Sequence, residues 1–315
     1  MKKLSLLLAL LAGGCVMDLP TGVRVDRPRV LGVRVDIDGD PERAAARPGD
    51  ALTLRWLVVG HEGDPPEWSS AMAACVARPS NLGIPTCDGA PFAFQLPTEP
   101  TAAPSFAFEI PGDVPVEGRE TEILVIGVLC AGGTPVFSMD DLPSCEEEEA
   151  VAERLIFAFP LVETDAEDDA NQHPSLGDET LTIDDTPWPA SDVVPESGCA
   201  GGDLVQIRAR VEDEPSFVRL TTSPSDREMY DEVVLGEMPR VVETREELLV
   251  SHVATAGLFT RLQTEVFDDP PLEVPWRHPD PEEIPDDGLT VRFWFVARDQ
   301  RGGMDWVERA LCVVP

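Results

Sequence analysis

Apolar and polar residues alternate along several short stretches of this chain, which is the pattern of half-buried β-strands. Residues 29–37 place Leu31, Val33, Val35 and Ile37 on one face, and residues 51–59 repeat the pattern after a Pro-Gly-Asp turn. Residues 289–298 and 304–314 flank a Gly-containing loop typical of a β-hairpin. The pattern therefore predicts an all-β chain of short strands.

The strands fall into two blocks, residues 29–161 and 199–315, with a segment of different composition between them. Acidic residues, Pro and small residues dominate residues 162–198, so few large apolar side chains are available there for a core. We expect this segment to be an acidic, Pro-rich interdomain linker, with docking of Trp188 on one domain left open. Short, evenly spaced strands separated by turn signals are typical of β-sandwiches, and 315 residues suffice for two.

Two aromatic or charged loop residues are further candidates for a binding surface. We predict residues 270–287 to be a long Pro-rich acidic loop that carries Trp276 and His278. Arg301 is predicted to lie exposed at a hairpin tip. The preferred explanation is structural: Arg301 belongs to a turn, and Trp276 is a packed aromatic residue.

The first fifteen residues indicate export. Lys2 and Lys3 precede a short apolar run, and small residues then lead directly to Cys15. The sequence Leu11-Ala12-Gly13-Gly14-Cys15 resembles the lipobox of bacterial lipoproteins, although the Leu usual at the third position before the Cys is replaced by Ala12. The resemblance implies cleavage of a signal peptide, residues 1–14, and acylation of Cys15. Residues 15–28 would then form a tether to the membrane.

A second resemblance concerns the fold. The run RVLGVRVDIDGDPERAAARPGDALTLRWLVV is similar to the opening of immunoglobulin-like sandwiches in surface lipoproteins of Gram-negative bacteria, and VARDQRGGMDWVERALCVV is similar to their closing hairpin. The resemblance implies two immunoglobulin-like β-sandwich domains, residues 29–161 and 199–315. Because Val16 is not an Asp, it also implies the outer membrane, with periplasmic or outward orientation left open.

Charge argues against one class of partner. The chain has 24 basic and 59 acidic residues, a net charge of −35, and both Lys residues lie within the signal. A chain this acidic is repelled by phosphate backbones, so we expect no nucleic-acid binding. After Leu11 the sequence contains no apolar run near the roughly 18 residues that a membrane span requires.

The cysteines predict disulfides. With Cys15 assigned to lipid, an even six of the 7 Cys remain, as expected for disulfides in an exported protein. Six Cys allow about 15 pairings, and the sequence alone does not choose among them. Proximity favours three pairs, which are Cys75 with Cys87, Cys130 with Cys145, and Cys199 with Cys312.

Catalytic motifs are absent from the sequence. None of the 4 His lies in an H-E-x-x-H motif, and neither a G-x-S-x-G elbow nor a phosphate-binding Gly-rich loop occurs. His252 is expected to be a packed or half-exposed strand residue. We therefore expect no enzyme, no catalytic residue and no cofactor.

Calcium is the one metal that the sequence suggests. Asp36, Asp38 and Asp40 offer oxygen ligands at alternate positions. The Gly and the closing Glu of a calcium loop are out of register, so a strand that ends in an acidic turn is the preferred interpretation.

We expect a lipid-anchored cell-envelope protein with a structural or adhesive role, which binds an envelope protein or a glycan. The alternatives are a calcium-dependent adhesion or envelope-assembly component and, less favoured, a secreted hydrolase.

Overall fold

The computed structural model describes residues 22–61, 66–78, 85–116, 121–138, 142–163, 171–176, 181–195, 197–210, 214–221, 227–234, 240–266 and 272–315. These ranges form β-strands joined by turns, with a 3-10 turn at Pro281–Glu283, so the predicted all-β fold is confirmed. In the described ranges the structure has no helix long and apolar enough to cross a membrane. Cys15 and the predicted signal, residues 1–14, lie outside the described residues.

The first half of the chain forms a β-sandwich. Its strands in chain order are β1 (Arg29–Ile37), β2 (Ala51–Val59), β3 (Trp68–Arg78), β4 (Thr86–Cys87), β5 (Ala93–Gln95), β6 (Ser105–Glu109), β7 (Glu122–Ala131), β8 (Pro135–Val136), β9 (Ser144–Cys145) and β10 (Val151–Pro160). One sheet has the order β1-β2-β6 and the facing sheet the order β10-β7-β3-β4, with β5 also paired to β3. Alternate residues of β1 and β2, among them Val35 and Leu54, are fully buried in the core between the sheets.

Strand β3 is the strand that alternation does not reveal. Its residues from Ser69 to Cys75 are mostly small and are buried on both faces. Gly127 of the neighbouring β7 lies directly opposite Met72 and leaves room for the Met72 side chain. A Cβ placed on Gly127 would lie 2.8 Å from Met72 Cγ.

The second half forms another sandwich. Its strands are β11 (Leu181–Ile183), β12 (Thr186–Pro187), β13 (Val205–Arg208), β14 (Ser216–Leu220), β15 (Met229–Val234), β16 (Arg240–Arg245), β17 (Leu248–Ala254), β18 (Leu258–Phe259), β19 (Gln263–Val266), β20 (Leu272–Arg277), β21 (Leu289–Arg298) and β22 (Met304–Val314). The sheet β12-β11-β14-β20-β18 faces the sheet β13-β22-β21-β17-β19, and β15 and β16 form a separate hairpin. In the core, the rings of Trp188 and Trp276 each meet the ring of Phe293 edge to face. Such aromatic pairs stabilise the core beyond the effect of burial alone.

The predicted linker needs correction at its second half. Strand β11, which lies within residues 162–198, pairs with β14 and belongs to the second sandwich. Trp188 is 1% exposed, and its Nε1–H donates to the carbonyl of Ala310 over 2.9 Å. Composition averaged over the segment concealed these residues, because single buried apolar side chains stand among exposed acidic ones.

Of two other segments predicted to be irregular, one makes an isolated bridge to a strand and the other contains a strand. In the predicted tether, Val23 and Val25 are buried, and their backbones exchange hydrogen bonds with Ala254 at the end of β17. In the predicted loop 270–287, β20 holds Trp276 fully buried in the core. The prolines misled the prediction there, since β20 accommodates Pro275 opposite Phe217.

All six remaining cysteines form disulfides, in the three pairs that proximity favours. Cys75–Cys87 joins β3 to β4, Cys130–Cys145 joins β7 to β9, and Cys199–Cys312 joins the segment before β13 to β22. Gly288, with φ +86°, lies against the last bridge, where a Cβ would meet sulfur.

Candidate binding cleft between the sandwiches

The outer edge of β1 is covered by side chains instead of by another strand. Arg298 Nη2 donates to the carbonyl of Leu31 over 2.6 Å, and the amide of Val33 contacts the sulfur of Met304 at 3.2 Å. His173 reaches the carbonyl of Val35 at 2.8 Å. Since Arg298 and Met304 belong to the second sandwich, the free edge of β1 is where the two sandwiches join.

His173 joins both sandwiches through its two ring nitrogens. Nδ1 accepts a hydrogen bond from the amide of Met304 over 3.0 Å, so Nε2 carries the proton donated to Val35. The His173 amide also donates to the carbonyl of Glu42 over 2.7 Å. Burial lowers the pKa of His173 below its ordinary value, which favours the neutral ring that this geometry needs.

Further polar contacts between the two sandwiches surround His173. Arg34 Nη1 lies 3.1 Å from the carboxylate of Asp305, which also accepts from the amide of Leu176 over 2.9 Å. Asn171 Nδ2 donates to Asp299 over 2.5 Å. Residues 171–176, predicted to be linker, therefore hold the two sandwiches together.

An apolar cluster completes the junction. Val59 and Leu57 of β2 pack against Val253 and Trp294 of the second sandwich, with Val25 between them. The junction thus has both an apolar centre and polar contacts around it, which is the usual composition of a specific interface.

Beside the junction lies an open cleft of about 500 Å³, which we call the edge cleft. One wall is the start of β1, another is the middle of β10, and the third is the hairpin between β21 and β22. The residues that line the cleft are Val30, Leu31, Gly32, Val33, Trp56, Glu153, Arg154, Leu155, Ile156, Phe157, Arg298, Asp299, Gln300, Gly302, Gly303 and Met304. Ile156 is 55% exposed there. Burial raises the pKa of Glu153, while the nearby charges of Arg27 and Arg29 oppose that rise.

A second, smaller cavity of about 280 Å³ lies on the other side of His173, and acidic side chains dominate its lining. Glu246 is 1% exposed, and burial together with Asp299 and Glu228 raises its pKa to about 8. Arg301 lies 3.2 Å from Glu228 and stacks over the ring of Tyr230. The predicted exposed tip residue is therefore packed into the structure.

The calcium candidates are not assembled into a site. Asp36 is paired with Arg34 and Arg55, and Asp40 with Arg43 at 3.1 Å. Across the described part of the chain, the structure brings together no group of three or more His, Cys, Asp or Glu side chains that could hold a metal ion.

One serine–histidine pair occurs, which the sequence did not indicate. Ser216 Oγ lies 2.8 Å from His278 Nε2 and 2.8 Å from Asp184. Ser216 is fully buried, and burial together with the charge of Arg210 lowers the pKa of His278 to about 4. Nucleophilic catalysis needs an accessible hydroxyl and a basic His, so this pair is structural.

His252 is fully buried in β17, consistent with the packed role expected for it. Its Nε2 lies 3.0 Å from the hydroxyl of Thr264, and burial lowers its pKa to about 4.

Comparisons with known proteins name no family for this chain. No protein-family model matches the chain, and no curated protein matches it. Among solved structures, the D0-D1 domain of Intimin is similar over 90% of this chain and 98% of that chain, with 9% sequence identity and a TM-score of 0.21. Because the TM-score is this low, the likeness carries no weight for the function of this chain.

Proposed function

We propose that this chain is a lipid-anchored protein of the outer membrane or cell surface, with a structural or adhesive role, which binds an envelope protein through the edge cleft. The observation that supports the proposal is the combination of three disulfides with an open cleft at a well-packed junction. Disulfides persist in oxidising compartments outside the cytoplasm. Binding sites occur preferentially between domains.

The lining of the cleft favours a protein over a glycan. Its exposed residues are Arg154, Ile156 and Gln300, and the one aromatic ring of β2 in the lining, Trp56, is only 6% exposed. The chain's exposed aromatic side chains, such as Phe94 and Phe217, lie elsewhere. A sugar ring is usually held by an exposed aromatic face, whereas a groove with both apolar and hydrogen-bonding side chains fits a polypeptide.

The anchor is tested by metabolic labelling with an alkyne fatty acid, followed by fractionation of the cells. We expect the wild-type protein to be labelled and recovered with the outer membrane, and Cys15→Ser to be unlabelled. The matched control is the double variant Cys75→Ala with Cys87→Ala, which removes a local disulfide and leaves the lipobox intact. Equal labelling of wild type and Cys15→Ser, or recovery of the wild type in the cytoplasm, would overturn the proposal.

A further inference from the structure

Strand β10 has a free edge that faces the edge cleft. In the described part of the chain it is the outermost strand of its sheet, with β7 as its one partner strand. The amide of Leu161 donates to the carbonyl of Thr121 over 2.9 Å. Residues 161 and 121 therefore form a hydrogen-bonded pair that continues the register of β10 with β7. In a regular antiparallel ladder such pairs recur at every second residue. The odd-numbered residues of β10 therefore bond to β7, and the even-numbered residues point the other way.

The outward backbone groups belong to Ala152, Arg154, Ile156 and Ala158. Val162 is also an even-numbered residue, and its amide donates outward to the carbonyl of Ala46 over 2.8 Å, in agreement with this parity. Within the described ranges, no backbone group pairs with the outward edge of β10 between residues 152 and 158. Pro160 ends the edge, because it has no N–H to offer there.

The two edges that border the cleft are treated differently. The edge of β1 is covered by Arg298, Met304 and His173. Among the described residues, none covers the edge of β10 in this way, although uncovered edges promote unwanted pairing and proteins usually block them. An open edge beside an apolar cleft is the arrangement that accepts an added strand.

Aromatic side chains form part of the cleft wall next to β10. The ring of Trp56 meets Phe157 of β10 edge to face at 6.3 Å, and both residues line the cleft. One face of an added strand would therefore lie against apolar rings.

The charge next to this edge indicates the partner's composition. Four exposed glutamates, Glu146 to Glu149, precede β10 by one residue. With Glu153 they give five carboxylates at this end of the strand, against the three guanidinium groups of Arg27, Arg29 and Arg154. A strand added antiparallel to β10 would have its C-terminal end beside them, so basic residues there would be attracted. Antiparallel addition also continues the antiparallel pairing of the sheet.

We infer that the edge of β10, residues 152–158, binds an extended segment of a partner protein by antiparallel strand addition, and that this segment carries Arg or Lys at its C-terminal end. The inference rests on the proposed function, whose binding site it defines. Seven paired residues correspond to a segment of about 23 Å.

The probe is a synthetic peptide of seven alternating valines and threonines followed by three arginines, added to the full mature protein. Binding is measured by fluorescence anisotropy, and amide hydrogen exchange locates it. We expect slower exchange at Arg154, Ile156 and Ala158. Ile156→Pro removes an outward N–H that β7 does not use, and should weaken binding about tenfold, whereas Ile156→Thr keeps that N–H and should bind as wild type.

Two control peptides sharpen the test. One has three glutamates in place of the arginines and should bind more weakly, and the other is N-methylated at alternate amides and should not bind. Near-ultraviolet circular dichroism establishes that Ile156→Pro is folded. Absence of protection at these amides, or equal binding by Ile156→Pro, would overturn strand addition, and equal binding of the two charged peptides would overturn the basic partner. Neither result touches the fatty-acid labelling, so failure of the inference is distinguishable from failure of the proposed function.

Discussion

Replacing His173 with Phe should loosen the junction between the two sandwiches. The ring of Phe fills similar space but makes neither of the hydrogen bonds, 2.8 Å to Val35 and 3.0 Å from Met304, that His173 makes. Each such bond contributes about 1 kcal/mol, and leaving a buried partner unpaired costs about 1 kcal/mol or more. We therefore expect His173→Phe to lower the free energy of unfolding by about 3 kcal/mol at pH 7.5.

The loss of unfolding free energy caused by His173→Phe should depend on pH. Burial keeps the pKa of His173 in the folded protein below its unfolded value of 6.5. The unfolded chain therefore binds the proton more readily, so the stability from the neutral ring is complete above pH 6.5 and declines as the pH falls below it. Protonated Nδ1 would also face the amide of Met304 donor to donor. At pH 5 the difference between wild type and variant should be smaller than at pH 7.5.

The assay is urea unfolding followed by tryptophan fluorescence at both pH values. His61→Phe is the matched control, because it makes the same exchange of histidine for phenylalanine at an exposed position. A loss of unfolding free energy below about 0.5 kcal/mol at pH 7.5 is less than one typical hydrogen bond contributes. Such a result would refute the idea that His173 holds the two sandwiches together. A penalty of the same size at both pH values would refute the role assigned to the neutral ring.

Three further predictions concern stability. From pH 7 to pH 4 the wild type should lose about 3 kcal/mol more than His252→Phe, because burial lowers the pKa of His252 to about 4 from 6.5; parallel pH profiles would contradict this. Trp188→Ala should cost about 4 kcal/mol in urea unfolding, whereas Val193→Ala, at a 61% exposed position of the same segment, should cost little; equal effects would restore the linker interpretation. Replacing Cys199 and Cys312 together by Ala opens a loop of 113 residues and should lower unfolding stability by about 4 to 5 kcal/mol, and an unchanged denaturation midpoint would argue against the bridge.

Alternation predicted the strands that have one polar face. Strands β1 and β2 have the bounds expected for them, because each presents apolar residues to the core at every second position. Strand β3 was missed, since small residues buried on both faces produce no alternation. Strand β20 was missed because proline normally argues against a strand, and Pro275 is accommodated there.

The candidate site could not be predicted in the same way. The edge cleft depends on which strand lies at each edge of a sheet and on the packing of one sandwich against the other. His173 and Met304 meet across 131 positions of sequence, and no local pattern marks either residue. The cysteine pairs were predictable because each bridge joined the nearest remaining partner along the chain. Calcium binding by Asp36, Asp38 and Asp40 stays a prediction, and the structure adds that arginines, such as Arg55, pair with Asp36.

Site-specific photocrosslinking in the living cell tests the central claim most directly. A benzophenone amino acid is placed at Ile156, on the edge of β10, or at Phe217, a 41% exposed position in the second sandwich. We predict an adduct at position 156 alone, formed by the lipidated protein, whose crosslinked peptide has alternating apolar residues followed by Arg or Lys. Equal crosslinking at both positions, or no adduct at position 156 in lipidated protein, would contradict the account.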